Sequence, residues 1–306
     1  MSQYLGNRLL QLIPLAIIVT LLIFTIFHVL PGDAAAIFAS EGASPETVEL
    51  IRSRLGLDRP LHVQYLDWVS NLLRGDMGNS FLDDRPVLQV LANRFPATLY
   101  LALASMLVTI VIGVPAGVVS AVKQNTIWDR VARIVSLIGL SMPSFWFGLI
   151  LLLIFSYHLK WLPLGGYGSW KHVILPALAL GTTLAATVMR LTRSSVLEVA
   201  REDFVRTARA KGLSEPKVIY KHVLRNALIP VITITGLQAG ALLGGTVVTE
   251  TVFRWPGVGF LLYDRMINRD VPFVMGSLFV FAVVLGLINL ITDLSYALVD
   301  PRIRYS

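Results

Sequence analysis

Cysteine is absent from all 306 positions, so the chain has no disulfide, no thiolate metal site and no cysteine nucleophile. No Gly-x-x-x-x-Gly-Lys-Ser/Thr loop or other phosphate cradle occurs, which excludes an ATPase. The apolar runs carry no His/Glu cluster and no Ser/Lys or Asp/Asp pair, so nothing supports an intramembrane enzyme. His28 has no second histidine or carboxylate at ligand spacing, so a built-in metal site is not expected. Internal repeats and low-complexity tracts are missing as well. Charge is also scarce, at 15% of residues, against about 25% in soluble proteins.

What fills the chain is apolar surface, 55% of residues, with a mean hydropathy of +0.69. The apolar residues come in blocks, and six are long enough to cross a bilayer, which takes about 20 residues. They are Leu9–Leu30, Ala97–Val122, Ile134–Leu159, Val173–Leu191, Leu228–Thr249 and Phe273–Val299. Gly113 and Pro115 are expected to kink the second. The fourth is the weakest, diluted by Pro176, Thr182, Thr183 and Thr187. The first exceeds a signal-peptide core and ends in polar His-Val-Leu-Pro-Gly-Asp, so it reads as a retained anchor.

An even number of spans puts both termini on one side. If that side is inside, the inner segments hold 15 basic and six acidic residues, the outer segments 11 basic and 12 acidic. The positive-inside rule then places both termini in the cytoplasm. The net charge of +7 is thus a topology signal and not a nucleic-acid footprint. The outer segment 31–96 begins a short helix at Ser44-Pro45-Glu46 that stops near Gly56. A second helix sets Leu61, Tyr65, Trp68, Val69, Leu72 and Leu73 on one face, which is expected to pack on the tops of the spans. Segment 250–272 forms the last outer loop and 300–306 an inner terminus.

The most polar stretch is the inner loop 192–227. Nine of the 26 Lys+Arg lie between Arg190 and Arg225, against four acidic residues. Val196, Leu197, Ala200, Phe204, Val205 and Ala208 follow helical spacing, predicting one helix over Ser195–Lys211 that Gly212 ends. A second is predicted from Pro216 to about Leu224. Glu198, Glu202 and Asp203 would be repelled by anionic lipid headgroups, which favours docking on a protein over resting on the membrane.

This loop resembles the coupling loop of importer permeases of the ATP-binding-cassette class, in the dipeptide, oligopeptide and nickel branch. The resemblance rests on Glu202-Asp203-Phe204-Val205-Arg206-Thr207-Ala208-Arg209-Ala210-Lys211-Gly212 and on His222-Val223-Leu224-Arg225-Asn226-Ala227. The wider class opens Glu-Ala-Ala; Arg206, Thr207 and Ala208 stand there, a departure usual in the peptide branch. Leu30-Pro31-Gly32-Asp33, Gly75-Asp76-Met77-Gly78, Gly236 through Gly245, Trp255-Pro256-Gly257 and Asp300-Pro301-Arg302 are similar to further motifs, in order, over nearly the whole chain. The length is close to that of glutathione or dipeptide permease subunits.

The resemblance implies an all-α, polytopic membrane protein with six spans of the type I importer kind. It implies that Glu202–Gly212 docks on a cytoplasmic ATPase, with Phe204, Val205 and Ala208 in its groove and Arg206, Arg209 and Lys211 at the rim. ATP and Mg would sit on the ATPases, so this chain holds no cofactor and is no enzyme. Moving a two-state equilibrium from 1:99 to 99:1 takes about 5.5 kcal/mol, which the partners must supply. Those partners would be two ATPase subunits, a second homologous permease and an extracytoplasmic substrate-binding protein, all around a bacterial inner-membrane complex. Gln238, Gly240, Leu243, Gly244 and Glu250 fall at the pathway or outer gate; Glu250 is expected to cap or pair with Arg254. Asp33, Phe253, Trp255, Pro256 and Gly257 fall at an outer turn that meets the binding protein or closes the gate. Asn289 and Asp293, one turn apart, read as an interhelical polar clamp. Peptide is the first cargo expected, a glutathione-like peptide next and a nickel chelate third. A self-sufficient secondary transporter would show paired halves and midplane ionisable residues, for which only Asp293 is a candidate.

Overall fold

The computed structural model describes residues 2–29, 44–54 and 56–299. Among them the chain is all-α, with one isolated bridge between Asn79 and Pro86. The helices are α1 (Ser2–Val29), α2 (Pro45–Arg54), α3 (Leu61–Leu73), α4 (Val87–Val122), α5 (Ile127–Ser141), α6 (Ser144–Leu151), α7 (Lys171–Val199) and α8 (Asp203–Ala210). They continue with α9 (Glu215–Lys217), α10 (Leu224–Gly245), α11 (Val247–Val252), α12 (Val258–Ile267) and α13 (Val271–Val299). Wider π turns follow α6 at Leu152–His158 and α9 at Val218–Val223. Among the described residues four helical stretches are long and apolar enough to span a membrane, or five if the bent pair α5/α6 is one span. A shorter apolar stretch, Ile13–His28, lies in α1. The chain divides into two compact units, Met1–Ala97 with Gly257–Leu287, and Thr98–Pro256 with Ile288–Arg304.

In the first unit, Ser44 precedes α2, and Gly56 at φ +66° lets the Leu57 N–H turn back to the Arg52 carbonyl at 3.0 Å. Helix α3 packs by Tyr65 and Trp68 against Ile23, Phe24 and Met275, with the Tyr65 and Thr20 hydroxyls 3.0 Å apart. Leu72 is buried, whereas Leu61 and Leu73 at the ends of the expected face stay exposed. A second cluster joins Val87 and Leu91 to Val258, Leu261 and Phe273. Beside it Arg265 reaches Asp270 and Ser80 at 3.4 and 3.1 Å and Asp83 at 3.0 Å. Burial raises the Asp83 carboxyl, but the Ser80 hydrogen bond and the Arg265 charge outweigh it and hold it below its usual value.

The second unit is organised around α7. Of the candidate spanning helices it is the most enclosed, with 61% of its apolar window buried against 33% for α4. That explains how it accommodates the threonines and proline that made it read as weak: it contacts protein. Helix α4 runs unbroken through Gly113 and Pro115. Gly113 serves close approach: a Cβ there would come within 2.9 Å of the Ala185 carbonyl, and one on Gly117 within 2.7 Å of the Met189 carbonyl. Thr109 donates across the same seam to the Gly181 carbonyl at 3.1 Å.

Residues 134–159 do not form one straight helix. Met142 (ψ 121°) and Pro143 (ψ 134°) leave the helical region, and α5 and the helix through His158 meet at 104°. The residue before a proline is pushed out of the α region, which breaks the helix there. An open apolar groove of about 600 Å³ lies at this elbow, lined by Leu137, Ile138, Ser141, Met142, Pro143, Phe145 and Trp146.

Candidate functional site

The loop predicted as one helix over Ser195–Lys211 is two. Helix α7 runs on to Val199, the chain turns through Ala200–Glu202, and α8 starts afresh. Glu202 adopts an extended backbone at the cap position (ψ 150°), and Asp203 puts a negative charge in the first turn, where the helix dipole favours it. Gly212, at φ +76°, takes the left-handed conformation that ends the motif.

The apolar side of α8 is divided between two directions. Val205 and Ala208 are buried in a cluster with Ala121 of α4, Val196 of α7, and Val218, Val223 and Ala227 around the second π turn. Phe204 turns the other way and remains 44% exposed. Around it Glu202, Asp203, Arg206, Thr207, Arg209, Ala210, Lys211 and Gly212 are all exposed. Arg209 holds Glu215 with two bonds of 2.8 and 3.2 Å, tying α8 to the start of α9, and Arg206 meets Asp203 at 3.3 Å. The result is a short helix seated firmly by one face, with a phenylalanine and cations on the other. Sequence spacing placed Phe204, Val205 and Ala208 together because it does not say which neighbours an apolar face meets.

The turn at 253–257 is present, but its aromatic residues point inward. Phe253 is 2% exposed and packs with Leu151, Leu175 and Ala179. Its carbonyl accepts the Gly166 N–H at 2.9 Å, and a Cβ on Gly165 would lie 2.4 Å from the same oxygen. Trp255, 1% exposed, stacks on Tyr100 at 5.9 Å and meets Tyr167 edge-on at 5.0 Å. Gly257 is buried and Pro256 half-buried. These side chains therefore fasten the segment between α6 and α7 to the body of the unit and present no aromatic surface outward. Glu250 is fully buried and accepts from the Thr98 and Thr246 hydroxyls at 2.8 and 3.1 Å, whereas Arg254 is exposed. In place of the expected cap or pair with Arg254, the buried carboxyl is met by these hydroxyls, as a buried polar group requires.

On α10, Gly240 lies against α13: a Cβ there would meet Ile288 at 3.0 Å and the Asn289 amide oxygen at 3.9 Å. The buried Gln238 Oε1 has no hydrogen-bond partner among the described residues. Asn289 is exposed. Asp33 lies outside the described residues, as do the side chains of Leu243 and Asp293 and the surroundings of Gly244. Among the described residues no group of three or more His, Cys, Asp or Glu could hold a metal ion.

Two family models match this chain. Residues 113–305 match the binding-protein-dependent transport system inner membrane component, and residues 1–102 match the N-terminal part of such a membrane component. Over 305 residues, the full length of both chains, it is 46% identical to the glutathione transport system permease protein GsiC of Escherichia coli strain K12. The protein of the same name in Salmonella typhi is also 46% identical over the full length of both. Among solved structures, the inward-facing MetNI methionine ABC transporter matches with a TM-score of 0.58 at 21% identity, over 70% of this chain and 97% of the other. An amino acid ABC transporter crystallised with histidines matches with a TM-score of 0.53 at 12% identity, over 68% of this chain and 94% of the other. At these identities the two structures speak to the fold alone. The full-length likeness and the family match lead to one conclusion: the chain belongs to the inner-membrane permeases of binding-protein-dependent ATP-binding-cassette importers, in their peptide branch.

Proposed function

We propose that this chain forms half of an alternating-access pathway and that α8 is where an ATPase subunit grips it. In this reading six spans cross the inner membrane with both termini in the cytoplasm, and a second, homologous permease supplies the other half. Two ATPases bind ATP and Mg and drive the cycle, and an extracytoplasmic binding protein delivers cargo. The observation that carries the reading is the divided face of α8. Val205 and Ala208 are locked into the chain's own apolar cluster, so displacement of α8 moves α4, α7 and the start of α10 with it. Phe204 stays exposed for a partner's groove, with the exposed Arg206, Arg209 and Lys211 near it and two of them already held by Asp203 and Glu215.

Phe204→Asp should leave membrane insertion and melting unchanged, because the side chain is 44% exposed. It should abolish association with the ATPases and cargo-stimulated hydrolysis in the reconstituted complex; wild-type association and transport in that variant would overturn the assignment. Ala208→Asp is a poor test, since it would bury a charge in the chain's own core.

For cargo, the full-length similarity to glutathione permeases favours a glutathione-sized peptide over a nickel chelate. Selection falls mostly to the binding protein, so mass spectrometry of what that protein retains on purification identifies the cargo. A retained metal chelate without peptide would refute the peptide assignment.

A further inference from the structure

Asp129 is fully buried beside the α8 block, in a part of the chain that neither docking nor gating explains. Both of its oxygens are saturated. Oδ1 accepts from Ser120 Oγ at 2.6 Å and from Arg193 Nε at 2.8 Å; Oδ2 accepts from the Asn125 N–H at 3.0 Å and from Arg193 Nη2 at 3.0 Å. Arg133, one turn further along α5, approaches Oδ1 at 3.5 Å. One carboxylate therefore gathers the end of α4, the turn after it, the start of α5 and the last third of α7. Asn125 takes φ +64° to bring its N–H round to the carboxylate.

The position of this pair gives it a consequence. Ser120 adjoins Ala121, and Arg193 lies three residues before Val196; Ala121 and Val196 belong to the apolar cluster that seats Val205 and Ala208. At this end α4, α7 and α8 share one apolar block, and α5 is fastened to the same block through the Asp129 carboxylate. The far end of α5 is the 104° elbow, whose other arm sets Gly148 against the Phe253 ring. Motion entering at α8 thus has a polar, directional link to the elbow and its apolar groove. An arginine–carboxylate fork fixes both distance and angle, which sliding apolar contacts do not.

We propose that the Asp129–Arg193 pair is the linkage that makes α5 and its elbow move with α8. It is a positioning pair that touches neither cargo nor nucleotide. The proposal rests on the reading of α8 as the ATPase grip, and the test separates the two. The full complex of both permeases, both ATPases and the binding protein is reconstituted in lipid with Asp129→Asn, Arg193→Lys or, in parallel, Phe204→Asp. The readouts are the amount of assembled complex and the ratio of ATP hydrolysis with and without cargo-loaded binding protein.

Asp129→Asn should keep basal hydrolysis per assembled complex while the stimulation ratio falls about tenfold, the effect expected from losing a charged hydrogen bond. Arg193→Lys keeps the charge but loses the fork, so its ratio should fall between Asp129→Asn and wild type. If Asp129→Asn fails to assemble, Arg193→Lys decides alone, with a lowered ratio at normal assembly supporting the linkage. An unchanged ratio in assembled variants, or a loss that only tracks the amount of complex, overturns it. Full stimulation in Phe204→Asp would instead sink the docking reading, whereas loss there with an unchanged Asp129→Asn sinks only the linkage.

Discussion

The seam between α4 and α7 makes a quantitative prediction from a single methyl group. In Gly117→Ala the new Cβ would fall 2.5 Å from the Thr192 Cβ and 2.7 Å from the Met189 carbonyl oxygen. The second contact is backbone, so the helices must separate. Gly139→Ala on α5 is the matched control, since its Cβ would meet the Ala186 Cβ at 3.4 Å, an ordinary contact. Both changes gain about 0.5–1 kcal/mol of helix propensity, while overpacking costs about 1–3 kcal/mol. Gly139→Ala should therefore be neutral or slightly stabilising. Gly117→Ala, whose clash at 2.5–2.7 Å puts it toward the costly end, should lose up to about 2.5 kcal/mol net. Melting of the detergent-solubilised permease, followed by fluorescence-detected size exclusion, reads the difference as a lower midpoint for Gly117→Ala alone. Equal midpoints for the two variants would refute the close approach of α4 to α7.

Other outcomes follow from the same geometry. Phe253→Ala empties a buried aromatic site and should cost about 3–5 kcal/mol, with increased proteolytic cleavage in the 160–170 segment that its carbonyl holds. Thr98→Val removes one donor from the buried Glu250 and should destabilise by about 1–3 kcal/mol, measured by the same melting assay. Asp83 has a lowered folded-state pKa, so its contribution is present above the unfolded value of about 3.9 and lost only as pH falls through the lower folded value. Arg265→Gln removes the Arg265 charge and its hydrogen bond while leaving Ser80, so part of that stabilisation should go and the acid limb of a melting-versus-pH curve should move to higher pH.

The features most legible in the sequence were those set by local chemistry. The start of α2 at Pro45, directly after Ser44, and the left-handed turn at Gly212 that ends α8 needed only neighbouring residues. Features set by distant partners were not legible. Phe253 and Trp255 look like surface aromatics beside Pro256 and Gly257, yet the 159–171 segment covers them, and nothing near them in sequence announces it. The Asp129–Arg193 pair spans 64 residues and was hidden among the basic residues used for topology. Two further signals do stand in the sequence. Gly113 and Gly117 have the four-residue spacing of close helix contact, and Pro143 sits in the middle of the run 134–159, where a break was to be expected.

The grip of an ATPase on α8 is the central claim, and the missing cysteines make it directly testable. Phe204→Cys would be the only thiol in this chain, so a thiol-attached photocrosslinker placed there reports its neighbour without background. Lys160→Cys, in the segment between α6 and α7, serves as the control. In the assembled complex, illumination should join the permease to an ATPase subunit from position 204 and not from position 160. An assembled complex that gives no ATPase adduct from 204, or gives one equally from 160, would contradict the account.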